Sequence, residues 1–387
     1  MTKGFETAVY ALVMVLILNP AMGWFVPEVR ASQLVLTKIA QVETGDAYDL
    51  WIDTDNHIAY VTCGYSGVKV FNVSNPHNPT QIANVSSSSN GYAHQLVMRD
   101  NLMLIGDGHG GLKIIDFETL SNPVVLTQYT GDYAWDVEVK GHVAFVANGL
   151  TGSGGKLTIV NVTNPTAPAL LSSFTTVGDA TDIEVVDHLA FVTTSYKGFT
   201  VFDVSNYTNP VQLAQYVGAS ASDTDLGDLE IVGNLAYLSY WDKGFSVLNI
   251  SNLSDIEVIS ESSECQNSFS VHIDTERNLA FLCDLELGLL LLDVQTPTKL
   301  VEVARYSDGG KPNRVEVIGS LVYMTDQENG FVILEIEDND RLTIGFELPL
   351  LIVGLASVLV IGGYLRKRSS MTGTYHTAST SYVSEME

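Results

Sequence analysis

The chain has 387 residues, 46% of them hydrophobic and 17% charged, a mixture too apolar for a disordered polymer and rich enough to bury a core. Its 45 acidic against 19 basic side chains leave a formal charge of -26, which excludes nucleic acid, or anionic lipid met through the bulk of the surface, as a partner. Three cysteines with no CxxC or Cys/His spacing cannot all pair within one chain, so disulfides do not carry the fold and zinc has no support.

Lys3 precedes an uncharged apolar run at 8–18, Asn19 and Pro20 interrupt it, and small residues follow at Ala21, Gly23 and Ala31. That order predicts an export signal over residues 1–31, with an uncleaved N-terminal anchor as the alternative.

From there a repeat takes over. Gly67, Gly111, Gly155, Gly198, Gly244, Gly288 and Gly330 each open an apolar, strand-like run, at separations of 44, 44, 43, 46, 44 and 42 residues. The third copy reads most plainly: a strand at 134–139, a Lys140-Gly141-His142 turn, a strand at 143–147, a Gly-rich loop, a strand at 157–162, a Thr-Asn-Pro turn and a fourth strand at 169–175. Four strands per copy, alternating or β-branched rather than 3.6-periodic, describe a propeller blade and not a helical solenoid. The seventh copy ends at Ile336 after its third strand, while the unmatched Leu34–Val42 has the fourth-strand pattern seen at Val211–Tyr216. The expected fold is therefore all-β, a seven-bladed propeller over residues 32–336 latched by its N-terminal strand.

Copies such as Leu157-Thr-Ile-Val-Asn-Val-Thr-Asn-Pro165 and Phe199-Thr-Val-Phe-Asp-Val-Ser-Asn206 resemble the LVIVD-repeat family of surface propellers. Copies two, five and six depart from the pattern at the turn after the third strand, with Glu118-Thr119-Leu120, Ser251-Asn252-Leu253 and Gln295-Thr296-Pro297. The resemblance implies an extracellular, anchored propeller of archaeal or bacterial type and no established reaction.

Beyond the ring, residues 337–343 form a linker, and residues 344–365 contain 18 uncharged residues at 348–365 followed at once by Arg366, Lys367 and Arg368. Eighteen helical residues span roughly 27 Å, close to the hydrocarbon thickness, and the cations hold their side in the cytoplasm. This predicts a single-pass type I protein in the cell membrane, its propeller outside and a tail at 366–387 inside. Gly345-Phe346-Glu347 before the span and the basic residues after it also resemble archaeal C-terminal anchors.

The first strand of each blade lines the axis. Near its start stand Asp49, Gln95, Asp136, Asp182, Asp228, Ser270 and Arg314, and two residues later Trp51, Val97, Glu138, Glu184, Glu230, His272 and Glu316. Two readings of this acidic ring follow. In one, each Asp accepts hydrogen bonds from neighbouring backbone and fixes its blade. In the other, Asp49, Asp136, Asp182 and Asp228 hold a cation, with Ca²⁺ the ion that hard oxygen ligands suit, and Arg314 neutralises part of the ring. Just before the ring come Tyr48, His94, Trp135, Thr181, Gly227, Phe269 and Asn313, and the adjoining loops carry Tyr65, His109, Tyr196, Tyr240, Trp241 and Asp242. His94, His109, Trp135, Tyr196, Tyr240 and Trp241 are the candidate ligand face, although Trp and Tyr serve blade packing equally well.

Sequons at Asn72, Asn84, Asn161, Asn206, Asn249 and Asn252 permit glycosylation. Asn72, Asn161 and Asn249 align with Asp116, Asp203 and Asp293, so a turn-forming role accounts for them without sugar. No nucleophile elbow, HExxH pair or phosphate loop is present. The expected function is a cell-surface binding or scaffolding propeller with a protein or glycan partner. The alternatives are an extracellular metal-assisted hydrolase or lyase built on Asp136, Asp182, Asp228 and His272, or a structural envelope component.

Overall fold

The computed structural model describes residues 34–129, 131–149, 154–195, 198–218, 226–241, 244–262, 265 and 267–338. The export signal, the membrane span, the tail, most of the linker, Tyr196 and Asp242 lie outside the described residues. Within them there are 28 strands and no helix, arranged as seven sheets of four.

Each blade runs outward from the axis as an antiparallel meander. In blade three the axial strand Tyr133–Lys140 pairs with Val143–Gly149, which pairs with Lys156–Asn161, which pairs with Ala169–Thr175. Composition follows position. In blade three the second strand, covered by blades on both sides, is buried at every residue, whereas the outermost strand is half-buried or exposed throughout, as expected where a sheet goes from two covered faces to the rim. Buried apolar side chains gather in seven clusters, one in each seam between adjacent blades. At the seam between blades seven and one, for example, Phe331 and Ile333 meet Phe71 and Val61. Among the described residues there is no single central core. Burial on the order of 1.5–3 kcal/mol per large side chain is distributed round the ring, so each blade depends on both neighbours.

The ring closes as the repeat predicts. Leu34–Val42 lies antiparallel to Gly330–Asp338, from Leu34 opposite Asp338 to Val42 opposite Phe331, and supplies the outer strand of blade seven. The repeat glycine explains itself at this clasp. Gly330 has φ +81°, and a Cβ there would collide with the carbonyl oxygen of Val42, so only glycine admits the close approach.

The Asn and Asp residues that end the third strands are turn formers. Asn72, Asn161 and Asn249 each accept, through Oδ1, the backbone N–H two residues on, as do Asp116, Asp203 and Asp293. Asn206 and Asn252 do the same in the following turn, while Asn84 stands exposed on the outer strand Thr80–Val85. Cys63, Cys265 and Cys283 are free and buried; burial pushes the Cys63 and Cys283 thiols up to about 11 and about 12, so they act as small hydrophobes.

Candidate functional site

Five of the seven axial strands are irregular. Their pairing with the second strand slips at one place, between Ala134 and Asp136, Ala180 and Asp182, Leu226 and Leu229, Ser268 and Ser270, and Pro312 and Arg314. Such a bulge turns one residue out of the ladder and re-aims its neighbours. The displaced residues Trp135, Thr181, Phe269 and Asn313 stand at the face where the chain enters each blade, and the next residue points to the axis.

What the axial carboxylates do is then visible in their hydrogen bonds. Asp49 Oδ2 accepts Leu96 N at 2.8 Å, Asp136 Oδ2 accepts Ile183 N at 2.8 Å and Asp228 Oδ2 accepts Val271 N at 3.1 Å. One layer further along the axis, Oε2 of Glu184, Glu230 and Glu316 accepts the amides of Ile231, Ile273 and Ile52 at 2.7, 2.9 and 3.0 Å. In all six cases the donor belongs to the next blade, so these side chains staple the ring across its seams. Hydroxyls of the second strands add a parallel set: Thr62, Ser239 and Thr325 donate to the carbonyls of His94, Phe269 and Tyr48 at 2.5, 3.1 and 3.0 Å.

Between the staples lies a central cavity of about 300 Å³, lined by Asp49, Asp136, Asp182 and Asp228 with Glu138, Glu184, Glu230, His272 and Arg314. Arg314 crosses it, its Nη1 2.6 Å from Asp228 Oδ2 and its Nε 3.6 Å from Asp49 Oδ1. Gln95 Nε2 donates to Asp182 Oδ1 at 3.0 Å from the opposite wall. Desolvation, with mutual repulsion adding to it, raises the acids: Asp136 to about 6, Glu138 and Glu316 to about 7, Glu184 and Glu230 to about 8, and Asp49 and Asp182 upward as well. Burial also lowers His272 to about 4, keeping it neutral. One guanidinium cannot offset the desolvation of so many carboxylates. Ca²⁺ does not fit this donor set: three of the four Asp side chains already accept amides, a cation crosses the ring, and among the described residues no three His, Cys, Asp or Glu side chains are grouped to hold a metal ion.

A second assembly sits on the entry face over blades one to three. Tyr48, Tyr65, Tyr92, His94, Tyr133, Trp135 and His109 form one continuous set of ring contacts at centroid distances of 4.3 to 5.7 Å. The set is also hydrogen-bonded. Tyr92 Oη donates to Tyr48 Oη at 2.5 Å, and His94 Nε2 lies 2.7 Å from Tyr133 Oη. Burial lowers His94 to about 3, so it is a neutral ring clamped inside the stack. Tyr65 is 79% exposed at the Tyr92 end, and His109 is exposed on the Tyr133 flank. Trp135 Nε1 is buried and has no partner among the described residues.

Of the residues expected on the ligand face, the structure brings together His94, His109 and Trp135. Trp241 is 43% exposed but packs on Phe269 over blades five and six, with no ring contact to the first set among the described residues. Tyr240 lies beneath the surface in the seam between blades four and five. Sequence reasoning missed Tyr92 and Tyr133, although the period of two in Tyr92-Ala93-His94 and Tyr133-Ala134-Trp135 puts each tyrosine on the side of the ring that follows it.

The sequence pattern described as the LVIVD repeat matches residues 90–130, 131–176, 177–217, 225–261 and 309–341, more than half of the chain. The chain belongs to the LVIVD-repeat family. In this LVIVD propeller the matched segments are blades two to five and seven; blade six, where Gln295-Thr296-Pro297 departs from the pattern, is not matched, and neither is blade one. A computationally designed protein, Ika8, is similar in its crystal structure with a TM-score of 0.57 at 10% identity, over 78% of this chain and 87% of that one. At that identity the likeness shows the fold alone. No curated protein matches the chain.

Proposed function

We propose that this LVIVD propeller is a cell-surface binding protein that takes a protein or glycan partner on the aromatic patch of blades one to three. The observation that carries this reading is the linked set Tyr48, Tyr65, Tyr92, His94, Tyr133 and Trp135, drawn from three blades onto one face and ending in an exposed tyrosine. Large, rigid, amphipathic rings with hydroxyl and ring N–H groups supply contact area at low entropic cost, the usual chemistry of recognition surfaces. Residues 344–365 anchor the ring in the cell membrane after an export signal at 1–31. The last strand, Gly330–Asp338, runs away from the entry face. A metal-assisted hydrolase is the weaker reading, since its Asp136 and Asp228 are already engaged as inter-blade staples. A panel of glycans and surface proteins presented to the full chain tests the proposal. Retention of one partner, weakened roughly tenfold or more by Trp135→Ala, is the expected result; a partner bound equally well by Trp135→Ala and Tyr65→Ala would refute it.

A further inference from the structure

The axial cavity holds two carboxylates that the ring does not use as the others are used. Asp182 is 4% exposed, and its Oδ2 is buried with no hydrogen-bond donor. It is not the acceptor of a next-blade amide as Asp49, Asp136 and Asp228 are; its bonded oxygen, Oδ1, takes the Gln95 amide instead. The remaining group it can bond is the carboxylate of Asp136, and only by holding a proton between them. Glu138, half-buried in the next layer, makes its one backbone contact with its own neighbour Val139 and staples nothing. Arg314 is committed to Asp228 and Asp49. Both free carboxylates line the same space of about 300 Å³, and water reaches it, since the side chains of Arg314 and Glu230 on its wall are 35% and 26% exposed.

We propose that the axial cavity is a receptor for a small organic ammonium ion, held by Asp182 and Glu138. A metal ion needs three or more ligands closing on one point, an arrangement absent among the described residues. An alkylammonium head needs no such convergence: one N–H meets the orphan Asp182 oxygen, Glu138 on the wall of the same cavity offsets its charge, and its hydrocarbon stem fills volume that a bare ion cannot. Entry of a monoammonium ion displaces the proton shared by Asp136 and Asp182 to solvent, and the diammonium putrescine displaces a second proton from Glu138, so each positive charge that enters releases one proton and no bond to carbon changes. This site is separate from the aromatic patch and stands or falls independently of it.

Calorimetric titration of the full chain with putrescine tests the assignment, with tetramethylammonium, which has no N–H, and CaCl2 as controls. Saturable binding of putrescine is expected, weakened about tenfold or more by Asp182→Asn and roughly three- to tenfold by Glu138→Gln, with tetramethylammonium inert. Glu138 staples nothing, so Glu138→Gln keeps the fold intact and decides the matter if Asp182→Asn fails to fold. No saturable uptake of putrescine, equal affinity in the folded variants, or CaCl2 binding more tightly than putrescine at a site that the same substitutions abolish would each overturn the proposal.

Discussion

The entry face over blades one to three and the same face over blades four and five grow from one repeat and end in different chemistry. Ahead of the axial residue stand Tyr48, His94 and Trp135 on the first side, and Thr181 and Gly227 on the second. The axial position itself changes far less, and three of its four Asp residues, Asp49 and Asp136 on the first side and Asp228 on the second, accept the next blade's amide. Positions repeated round the ring hold it shut, and positions at which the blades diverge carry the recognition surface in the function proposed above. This division of labour predicts which substitutions act on stability and which on binding.

The largest effect belongs to the clasp. Removing Leu34–Val42 exposes the pairing edge of Gly330–Asp338 and opens the seams on which Phe331 depends, so the melting temperature of the full chain should drop by about 10 °C or more in scanning calorimetry. An unchanged melting temperature would remove closure from the account. Next come the staples. Asp136→Ala leaves the buried amide of Ile183 without its acceptor and should lower stability by about 1–3 kcal/mol in denaturant titration while leaving partner affinity as it was. Trp135→Ala should do the converse, weakening the partner by about 2 kcal/mol with a smaller change in unfolding. If the two substitutions proved interchangeable, the distinction between repeated and divergent positions would fail.

The smallest effect is a pH dependence. Glu184 and Glu230 ionise near 8 and Glu138 and Glu316 near 7 in the folded ring, against about 4.3 unfolded. The folded state therefore keeps protons that the unfolded chain has shed, and this stabilisation, complete at low pH, is lost as pH rises through 7 and 8. His94 and His272, lowered to about 3 and about 4, act oppositely, but only below the free-histidine value of about 6.5. Stability should thus fall between about pH 6.5 and pH 8, and Glu184→Gln, which keeps an acceptor for Ile231, should flatten the slope. A rise over that window would contradict the raised acids.

How much of this was legible beforehand follows the same division. A glycine every 42 to 46 residues marks the blade count because six of the seven enter their strand at φ of +73° to +88°, beside a neighbouring carbonyl at Gly198 and Gly330, where nothing else is admitted. The clasp was legible because Leu34–Val42 has a fourth-strand pattern with no blade of its own. Side-chain direction was not. The bulge at Trp135 and Phe269 shifts the alternation by one residue, which no period-two reading contains, and Tyr240, adjacent to exposed Trp241, falls into the seam because the strand Leu235–Tyr240 ends on its inward-facing residue. The acidic ring was legible as a staple before it was legible as a ligand site, and the amide partners of Asp49, Asp136 and Asp228 bear out the staple.

The central claim is that recognition occupies one side of the ring. It is tested most directly by measuring affinity for the selected partner in Tyr65→Ala and Trp241→Ala, two exposed aromatics on opposite sides of the division. A loss of roughly tenfold or more for Tyr65→Ala with Trp241→Ala unchanged is the predicted result. A loss confined to Trp241→Ala would contradict it.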